Sequence, residues 1–256
     1  MKYSVYAFAL ACAIGCTKKN ESTPKSTPEA PKESKPEVVN KLGPVYNWPP
    51  ASQEPFDVLP ENRHLAKNYY IILDGSGSMK EGECAEGRSK YDVAVNALQT
   101  FAKSVPEDDN LGMLVFDSTG IKEVVPLGIN NRDLFYGALA EVKVGGGTPL
   151  GSAISQGKAK LEGQARSQLG YGEFNLIIVT DGEADRNDSP NKAVQYLINN
   201  TPIIVQTIGF CIDDNHALNK PNKTVYKSAN NPSELVSSLE SILAESEVFT
   251  DTDFGE

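Results

Sequence analysis

The sequence is poor in the residue types on which many active sites depend. Its 256 residues include only two histidines, four cysteines and one tryptophan, and acids outnumber lysine and arginine to give a net charge of −10. His64 and His216 lie in polar segments without a serine or cysteine partner at a catalytic spacing, so both are expected at the surface. The negative charge argues against nucleic acid and bare anionic membrane as partners.

The apolar segment at the N-terminus, residues 1–16, is too short to remain in a bilayer as a spanning helix. One basic residue followed by a short apolar run that ends in small residues is typical of an export signal. Its last four residues, Ala13-Ile-Gly-Cys16, resemble a bacterial lipobox, which makes Cys16 the lipidated first residue after cleavage. Cys12 is a second candidate, but Cys16 allows the longer apolar stretch. A secretory peptide with an incidental cysteine is the alternative interpretation.

Composition divides the rest of the chain. Residues 17–44 consist largely of Pro, Lys, Glu, Ser and Thr, which predicts a disordered tether. Residues 45–64 interleave aromatic residues with prolines and are interpreted as an irregular strap along one folded domain, 65–246, with 247–256 as an acidic tail. A tethered lipoprotein belongs in the cell envelope, periplasmic or surface-exposed. By resemblance to enterobacterial sorting rules, Thr17 after Cys16 favours the outer membrane over the inner.

Strand and helix patterns alternate through 65–246, which predicts an α/β fold. We expect a doubly wound, mostly parallel sheet with helices on both faces and one antiparallel edge strand. The expected strands are 69–73, 111–116, 121–127, 174–179, 203–210 and 225–228, and the expected helices are 90–104, 132–142, 149–164, 191–198 and 232–244.

The first buried strand breaks into Asp74-Gly-Ser76-Gly-Ser78. Parallel sheets bind ligands beyond the carboxyl ends of their strands, which is where Asp74 falls. One carboxylate and two hydroxyls suit a hard cation such as Mg²⁺, Mn²⁺ or Ca²⁺. The same residues are also common in a turn that leads into a helix, so this stretch alone leaves both interpretations open.

Two further segments carry oxygen ligands. Gly145-Gly-Gly-Thr148-Pro149 is followed by residues with helical spacing, and Thr148 as N-cap with Pro149 at the first helical position explains it as a helix start. A phosphate-binding loop is disfavoured because no Gly-Lys-Ser/Thr follows. Asp181 ends another apolar strand and is, on its own, an ordinary strand exit. Asp185 and Asp188 lie nearby as modulators of the site or as caps.

Taken together, Asp74, Ser76, Ser78, Thr148 and Asp181 resemble the von Willebrand factor type A domain with a complete metal-ion-dependent adhesion site. The resemblance implies that Ser76 and Ser78 bind the cation directly and that Asp74 and Asp181 act through water. It implies that Thr148 binds directly in an open state and through water in a closed one. A cation with neutral inner ligands keeps much of its charge and can accept an Asp or Glu from a protein partner.

This resemblance makes a cation-dependent protein-binding module the expected function, with Mg²⁺ or else Mn²⁺ or Ca²⁺ as cofactor. One alternative is a structural domain whose metal only rigidifies loops. The other is a metal-dependent hydrolase, which is disfavoured because no residue stands out as general base or nucleophile.

Cys84 follows the first ligand segment and Cys211 follows the strand 203–210, so both are expected on the ligand-bearing edge of the sheet. An exported protein meets oxidising conditions, which predicts a Cys84–Cys211 disulfide. A soft-metal site is the competing role, but these cysteines lack its clustered spacing.

Overall fold

The computed structural model describes residues 47–53, 55–212 and 214–247. The predicted signal peptide, its Cys16, the tether and almost all of the acidic tail therefore lie outside the described residues. In the part that is described, none of the helices combines the length and the apolar character needed to cross a membrane.

Six strands form one sheet within the described residues. They are β1 (Lys67–Asp74), β2 (Asn110–Asp117), β3 (Gly120–Gly128), β4 (Glu173–Thr180), β5 (Ile204–Phe210) and β6 (Val225–Ala229). The order across the sheet is β3-β2-β1-β4-β5-β6, and every neighbouring pair is parallel except β2 and β3, which form an antiparallel hairpin at one edge. The predicted mostly parallel sheet with one antiparallel edge strand is confirmed.

Five α-helices cover the sheet in the same part of the chain, and they divide between its two faces. They are α1 (Lys90–Ser104), α2 (Arg132–Glu141), α3 (Leu150–Ser167), α4 (Asn191–Asn200) and α5 (Pro232–Glu247). Alternate residues of β1 separate two cores: Ile71 packs with buried side chains of α1, α2 and α5, whereas Ile72 packs with those of α3 and α4. A strand buried on both faces explains the nearly unbroken apolar run of β1.

Helix α3 extends three residues beyond its predicted end at 164. It stops where Leu169 and Gly170 both adopt positive φ, and the Gly170 amide closes the turn by donating to the Ala165 carbonyl at 2.7 Å. Leu169, which directly follows the C-cap Gln168, supplies the left-handed conformation that commonly ends a helix, and the Gly170 amide completes the motif. Because a leucine rather than a glycine occupies the left-handed position, the end of this helix carried only a weak sequence signal.

The described part of the strap lies against the end of α3 and the start of β4. The Trp48 ring packs edge-on against Phe174 with 5.3 Å between ring centroids, and the Leu59 amide donates to the Ser167 carbonyl at 2.9 Å. His64 is half-buried, with its Nε2 2.7 Å from the Leu59 carbonyl oxygen, so the histidine predicted to be a surface residue is part of this contact.

Candidate functional site

The candidate site lies where β1 and its neighbour β4 reach the same edge of the sheet. Asp74 is the last residue of β1, and Asp181 directly follows β4. Because the two strands pair in parallel, with Leu73 beside Val179, both aspartates leave the sheet at this edge. The parallel register thus brings together two acids that are more than a hundred residues apart in sequence.

The carboxylate of Asp74 is completely buried. One of its oxygens accepts a hydrogen bond from the Ser76 amide at 2.8 Å, and the other accepts one from the Thr180 hydroxyl at 2.6 Å. Burial raises the pKa of Asp74 to about 6, and the hydrogen bonds from Ser76 and Thr180 only partly oppose that rise. The negative charge is therefore incompletely compensated by the protein, and a nearby cation would stabilise it.

The hydroxyls of Ser76 and Ser78 form the next layer of the site. Their Oγ atoms are 3.1 Å apart, and Ser78 Oγ donates to Asp181 Oδ1 at 2.8 Å. A short 3₁₀ helix begins at Gly77 with Ser76 as its N-cap, but the Ser76 side chain makes no capping hydrogen bond. The capping interpretation of this turn therefore explains the Asp74–Ser76 contact but not the two serine hydroxyls.

Thr148 reaches the serine turn because the two loops pair through their backbones. The Gly145 amide donates to the Gly75 carbonyl at 2.7 Å, and the Gly77 amide donates to the Gly146 carbonyl at 3.1 Å. Gly145 and Gly146 both have positive φ, which a residue with a side chain adopts at a cost. The glycine run is thus needed to lay this loop against the first.

The structure does not give Thr148 the capping role that its segment, taken alone, left open. Pro149 is the N-cap of α3, and among the described residues the Thr148 hydroxyl has no hydrogen-bond partner. Asp188 caps the helix instead, since its carboxylate accepts from the amide and hydroxyl of Ser152 at 2.9 and 2.8 Å. Asp188 is accordingly a cap, and the Thr148 oxygen remains available to a ligand.

The loop between β4 and α4, residues 181–190, forms the side of the site next to β4. The Asp185 amide donates to the Thr148 carbonyl at 3.0 Å, which ties this loop to the glycine run. His216 does not lie at the surface as predicted: it is 6% exposed, its Nε2 is 3.1 Å from the Gly182 carbonyl oxygen, and its ring stacks on Tyr226. The polar sequence around His216 concealed a buried histidine that supports the Asp181 loop.

Asp117, at the end of β2, was missed by the sequence interpretation. Its buried carboxylate accepts hydrogen bonds from the amide and hydroxyl of Thr119 and from the Lys143 amide, and Lys122 Nζ lies 3.2 Å away. Burial acts to raise the pKa of Asp117, but the hydrogen bonds outweigh it and hold the pKa at about 2. Asp117 therefore fixes the segment that leads into the glycine run.

Lys90 was also missed as a site residue. Its Nζ lies 3.0 Å from Asp181 Oδ2, and both side chains are almost completely buried. One signal was present in the sequence: Lys90 is the first residue of α1, and a cation is disfavoured at the positive end of a helix dipole.

The predicted disulfide is confirmed. Cys84 and Cys211 are bonded, with their Cα atoms 5.9 Å apart and a sequence separation of 127. The bond joins the loop before α1 to the end of β5, at the same edge of the sheet as the hydroxyls of Ser76 and Ser78. In the chain-entropy model, closing a loop of this length contributes roughly 5 kcal/mol to stability.

The oxygen donors of this edge fit a hard divalent cation. Hydrogen bonds connect Asp74, Ser76, Ser78 and Asp181, and the backbone pairing of the glycine run brings the loop that carries Thr148 to the same edge. Neutral hydroxyls and carboxylates are ligands that Mg²⁺, Mn²⁺ and Ca²⁺ accept, whereas soft metals prefer sulfur and nitrogen.

Comparison with known proteins agrees with this architecture. The model of the von Willebrand factor type A domain matches residues 68–256. The uncharacterized protein YwmD of Bacillus subtilis is 28% identical over 160 residues, which cover 57% of this chain and 69% of YwmD.

Two solved structures share the fold at low sequence identity. One is proximal thread matrix protein 1 of the mussel byssus, solved with a zinc-occupied metal-ion-dependent adhesion site; its TM-score is 0.57 at 16% identity, covering 70% of this chain and 47% of that one. The other is the pilus adhesin SpaC from Lactobacillus rhamnosus GG, with a TM-score of 0.57 at 15% identity, covering 74% of this chain and 31% of SpaC.

The buried contacts of Asp117 generate a stability prediction. We expect Asp117→Asn to lower the free energy of unfolding at neutral pH by about 1–3 kcal/mol, because an amide cannot accept all of these hydrogen bonds. A carboxyl whose pKa is lower in the folded than in the unfolded state stabilises the fold fully at pH values above its unfolded-state pKa, and this stabilisation is lost as the pH falls toward its folded-state pKa. The difference from wild type should therefore shrink as pH falls from the ordinary value of 3.8 to about 2.

Urea unfolding across that pH range measures the difference. Asp57→Asn, at an exposed position in the strap, is the matched control and should follow wild type throughout. A constant Asp117→Asn deficit down to the acid end would show that the carboxylate's charge is not what stabilises this segment.

Proposed function

Because the chain belongs to the von Willebrand factor type A family, we propose that it is a divalent-cation-dependent protein-binding module of the cell envelope. Domains of this family bind protein ligands. The observation that carries the proposal for this chain is the hydroxyl–carboxylate cluster in which Ser76 and Ser78 stand between Asp74 and Asp181.

The cluster supports an intact metal-ion-dependent adhesion site. In the proposed arrangement Ser76, Ser78 and Thr148 bind the cation through their hydroxyls, and Asp74 and Asp181 stand behind them. The contacts agree with this division, since the Asp74 oxygens are engaged by Ser76 and Thr180 and each oxygen of Asp181 already has a partner. Mg²⁺ is the proposed cation, with Mn²⁺ or Ca²⁺ as substitutes.

The same arrangement supports capture of a partner's Asp or Glu. A cation that is held mainly by neutral hydroxyls retains much of its positive charge and attracts an incoming carboxylate. The zinc-occupied adhesion site of the byssus protein and the adhesin role of SpaC are properties of those proteins, and they agree with this chemistry. The partner would complete the coordination of the metal, so binding would require the metal.

A binding role is favoured over a catalytic one. In the structure His216, the histidine near the cluster, has its Nε2 on the Gly182 carbonyl and is buried against Tyr226, an arrangement that supports a loop. A purely structural metal is the remaining alternative, and it differs from our proposal in predicting metal binding without a metal-dependent partner.

We further propose that the protein is anchored by a lipid on Cys16, with the outer membrane favoured. The disulfide between Cys84 and Cys211 supports an oxidising compartment outside the cytoplasm. Mass spectrometry of the mature N-terminus from a bacterial membrane fraction should show a cysteine carrying acyl chains. An unmodified N-terminal residue, or a Cys16→Ser variant that stays in the membrane fraction, would contradict the anchor.

The metal site predicts that Mg²⁺ stabilises the folded protein. At a free Mg²⁺ concentration a hundred times its dissociation constant, binding contributes about 2.7 kcal/mol, and Tm should rise accordingly over the value in EDTA. Asp74→Ala should abolish the rise, because it removes the buried carboxylate that supports the serine turn. Calorimetric titration with Mg²⁺ and Mn²⁺ and thermal unfolding provide the two measurements.

Asp57→Ala is the control, since it removes an exposed aspartate outside the cluster and should bind metal like wild type. Absence of heat and of a Tm shift in the wild type would refute the metal site. Equal binding by Asp74→Ala would assign the metal to a different place.

The capture mechanism predicts that a partner is retained from an envelope extract only when a divalent cation is present. EDTA should release it, and restoring Mg²⁺ should restore capture, because the cation links the two carboxylate-bearing surfaces. Quantitative mass spectrometry of the captured proteins with and without EDTA gives the comparison. Recovery that is indifferent to EDTA, by a protein already shown to bind Mg²⁺, would leave the metal with a structural role only.

A further inference from the structure

A buried cation of the chain stands directly behind the proposed metal site. Lys90 Nζ donates to Asp181 Oδ2 at 3.0 Å, with 4% of the lysine side chain and none of the aspartate side chain exposed. Among the described residues, the other acid within ion-pair distance is Glu81, 3.7 Å away, whose side chain is largely solvent-exposed. Asp181 is therefore the close, desolvated partner of this ammonium group.

The position of Lys90 is unfavourable for a charged side chain on two counts. It is the first residue of α1, where the helix dipole is positive and repels a cation. Burial adds a desolvation penalty that only a well-placed partner offsets. The backbone holds the residue there, since the Lys90 amide donates to the Glu81 carbonyl at 2.8 Å and Ser89 caps the helix.

The pair is connected to the hydroxyls that would bind the metal. The second oxygen of Asp181 accepts from Ser78 Oγ, which lies 3.1 Å from Ser76 Oγ. Asp181 thus lies between an ammonium group on one side and the serine hydroxyls on the other. A divalent cation at the hydroxyls would share Asp181 with Lys90, and the two positive charges would repel each other at short range through a buried region.

We propose that Lys90 is a built-in counter-cation of the metal site, a positioning residue that acts through Asp181. This role of Lys90 rests on the proposed metal-binding function. The ammonium group holds Asp181 back from the metal and offsets its charge. The bound cation therefore keeps more positive charge for a partner's carboxylate, and the protein binds the metal less tightly than the ligand set alone would allow.

The charge of Lys90 and the affinity for metal are thermodynamically linked. Lys90 stabilises the metal-free protein, in which it is the strong partner of Asp181, more than the metal-bound protein, in which it also repels the metal. A neutral residue at 90 must then increase the affinity for metal. Energetic couplings between neighbouring sites correspond to changes of about 5- to 150-fold, so we expect the dissociation constant for Mg²⁺ to fall at least about fivefold.

The experiment compares Lys90→Met with Lys103→Met. Lys103 is exposed on the same helix, about 20 Å further along by the helical rise, so its loss changes the net charge equally without touching the site. Calorimetric titration with Mg²⁺ and Mn²⁺ measures affinity, and thermal unfolding in EDTA and in saturating Mg²⁺ measures stability.

We expect Lys90→Met to bind both metals more tightly than wild type. Its Tm should lie below wild type in EDTA, where Asp181 loses its partner, and the gap should narrow in Mg²⁺. Lys103→Met should match wild type in both titrations. Because Lys103 lies in the last turn of α1, where the helix dipole favours a cation, the Tm of this variant should fall slightly and by the same amount in EDTA and in Mg²⁺. Lys90→Gln, which keeps a hydrogen-bond donor without the charge, should also bind metal more tightly and serves if the methionine variant does not fold.

Weaker or unchanged metal affinity in the neutral variants, with normal binding by wild type, would overturn the role of Lys90 and leave the metal site standing. That result is expected if Lys90 only holds the loop in place. Absence of metal binding by wild type and variants alike would instead refute the proposed function, and the counter-cation role with it.

Discussion

The buried carboxylate of Asp74 is the constraint on which the rest of this edge depends. It ends the central strand β1 in a fully buried position, where an isolated charge is strongly unfavourable. The chain supplies a backbone amide from Ser76 and a hydroxyl from Thr180, yet the pKa of Asp74 stays raised. The first contact folds the serine turn back over the strand end, and the second ties β1 to β4. The amide contact that compensates this acid therefore also fixes the backbone of the turn that carries the serine hydroxyls.

Three neighbouring strands end at this edge with an aspartate, and their partners give each acid a different task. Asp117, the last residue of β2, accepts hydrogen bonds from two backbone amides and a threonine hydroxyl and holds the glycine loop. Asp74, the last residue of β1, is fully buried and accepts from the amide of the serine turn. Asp181, after β4, is paired with Lys90 and hydrogen-bonded to Ser78. All three residues are aspartates, so their different roles come from the side chains and backbone groups that surround each carboxylate.

This dependence on neighbours explains how far the sequence could predict the structure. Buried strands, helix periodicity and the hairpin were visible because each is a local pattern, and the strand-end rule was enough to place Asp74, Asp181 and the two cysteines at one edge. Asp117 also ends a buried strand, but its contact with the segment before the glycine run comes from Lys143, twenty-six residues on. His216 sits in a polar stretch whose burial arises from Gly182 and Tyr226. Such tertiary contacts leave no periodic trace in the chain.

The Cys84–Cys211 disulfide and Lys90 restrain the same loop, the one that precedes α1. Cys84 lies in the loop before α1, and its bond to Cys211 ties that loop to the end of β5, while the Lys90 amide returns to Glu81 at the loop's start. A covalent tie within the loop and a capped helix at its end hold the backbone of Lys90 in a position from which its ammonium group reaches Asp181. Charges that are fixed before a ligand arrives need no reorganisation when it binds, and less binding energy is then lost to ordering the site. The closed loop therefore preorganises the electrostatics of the cluster as well as stabilising the fold.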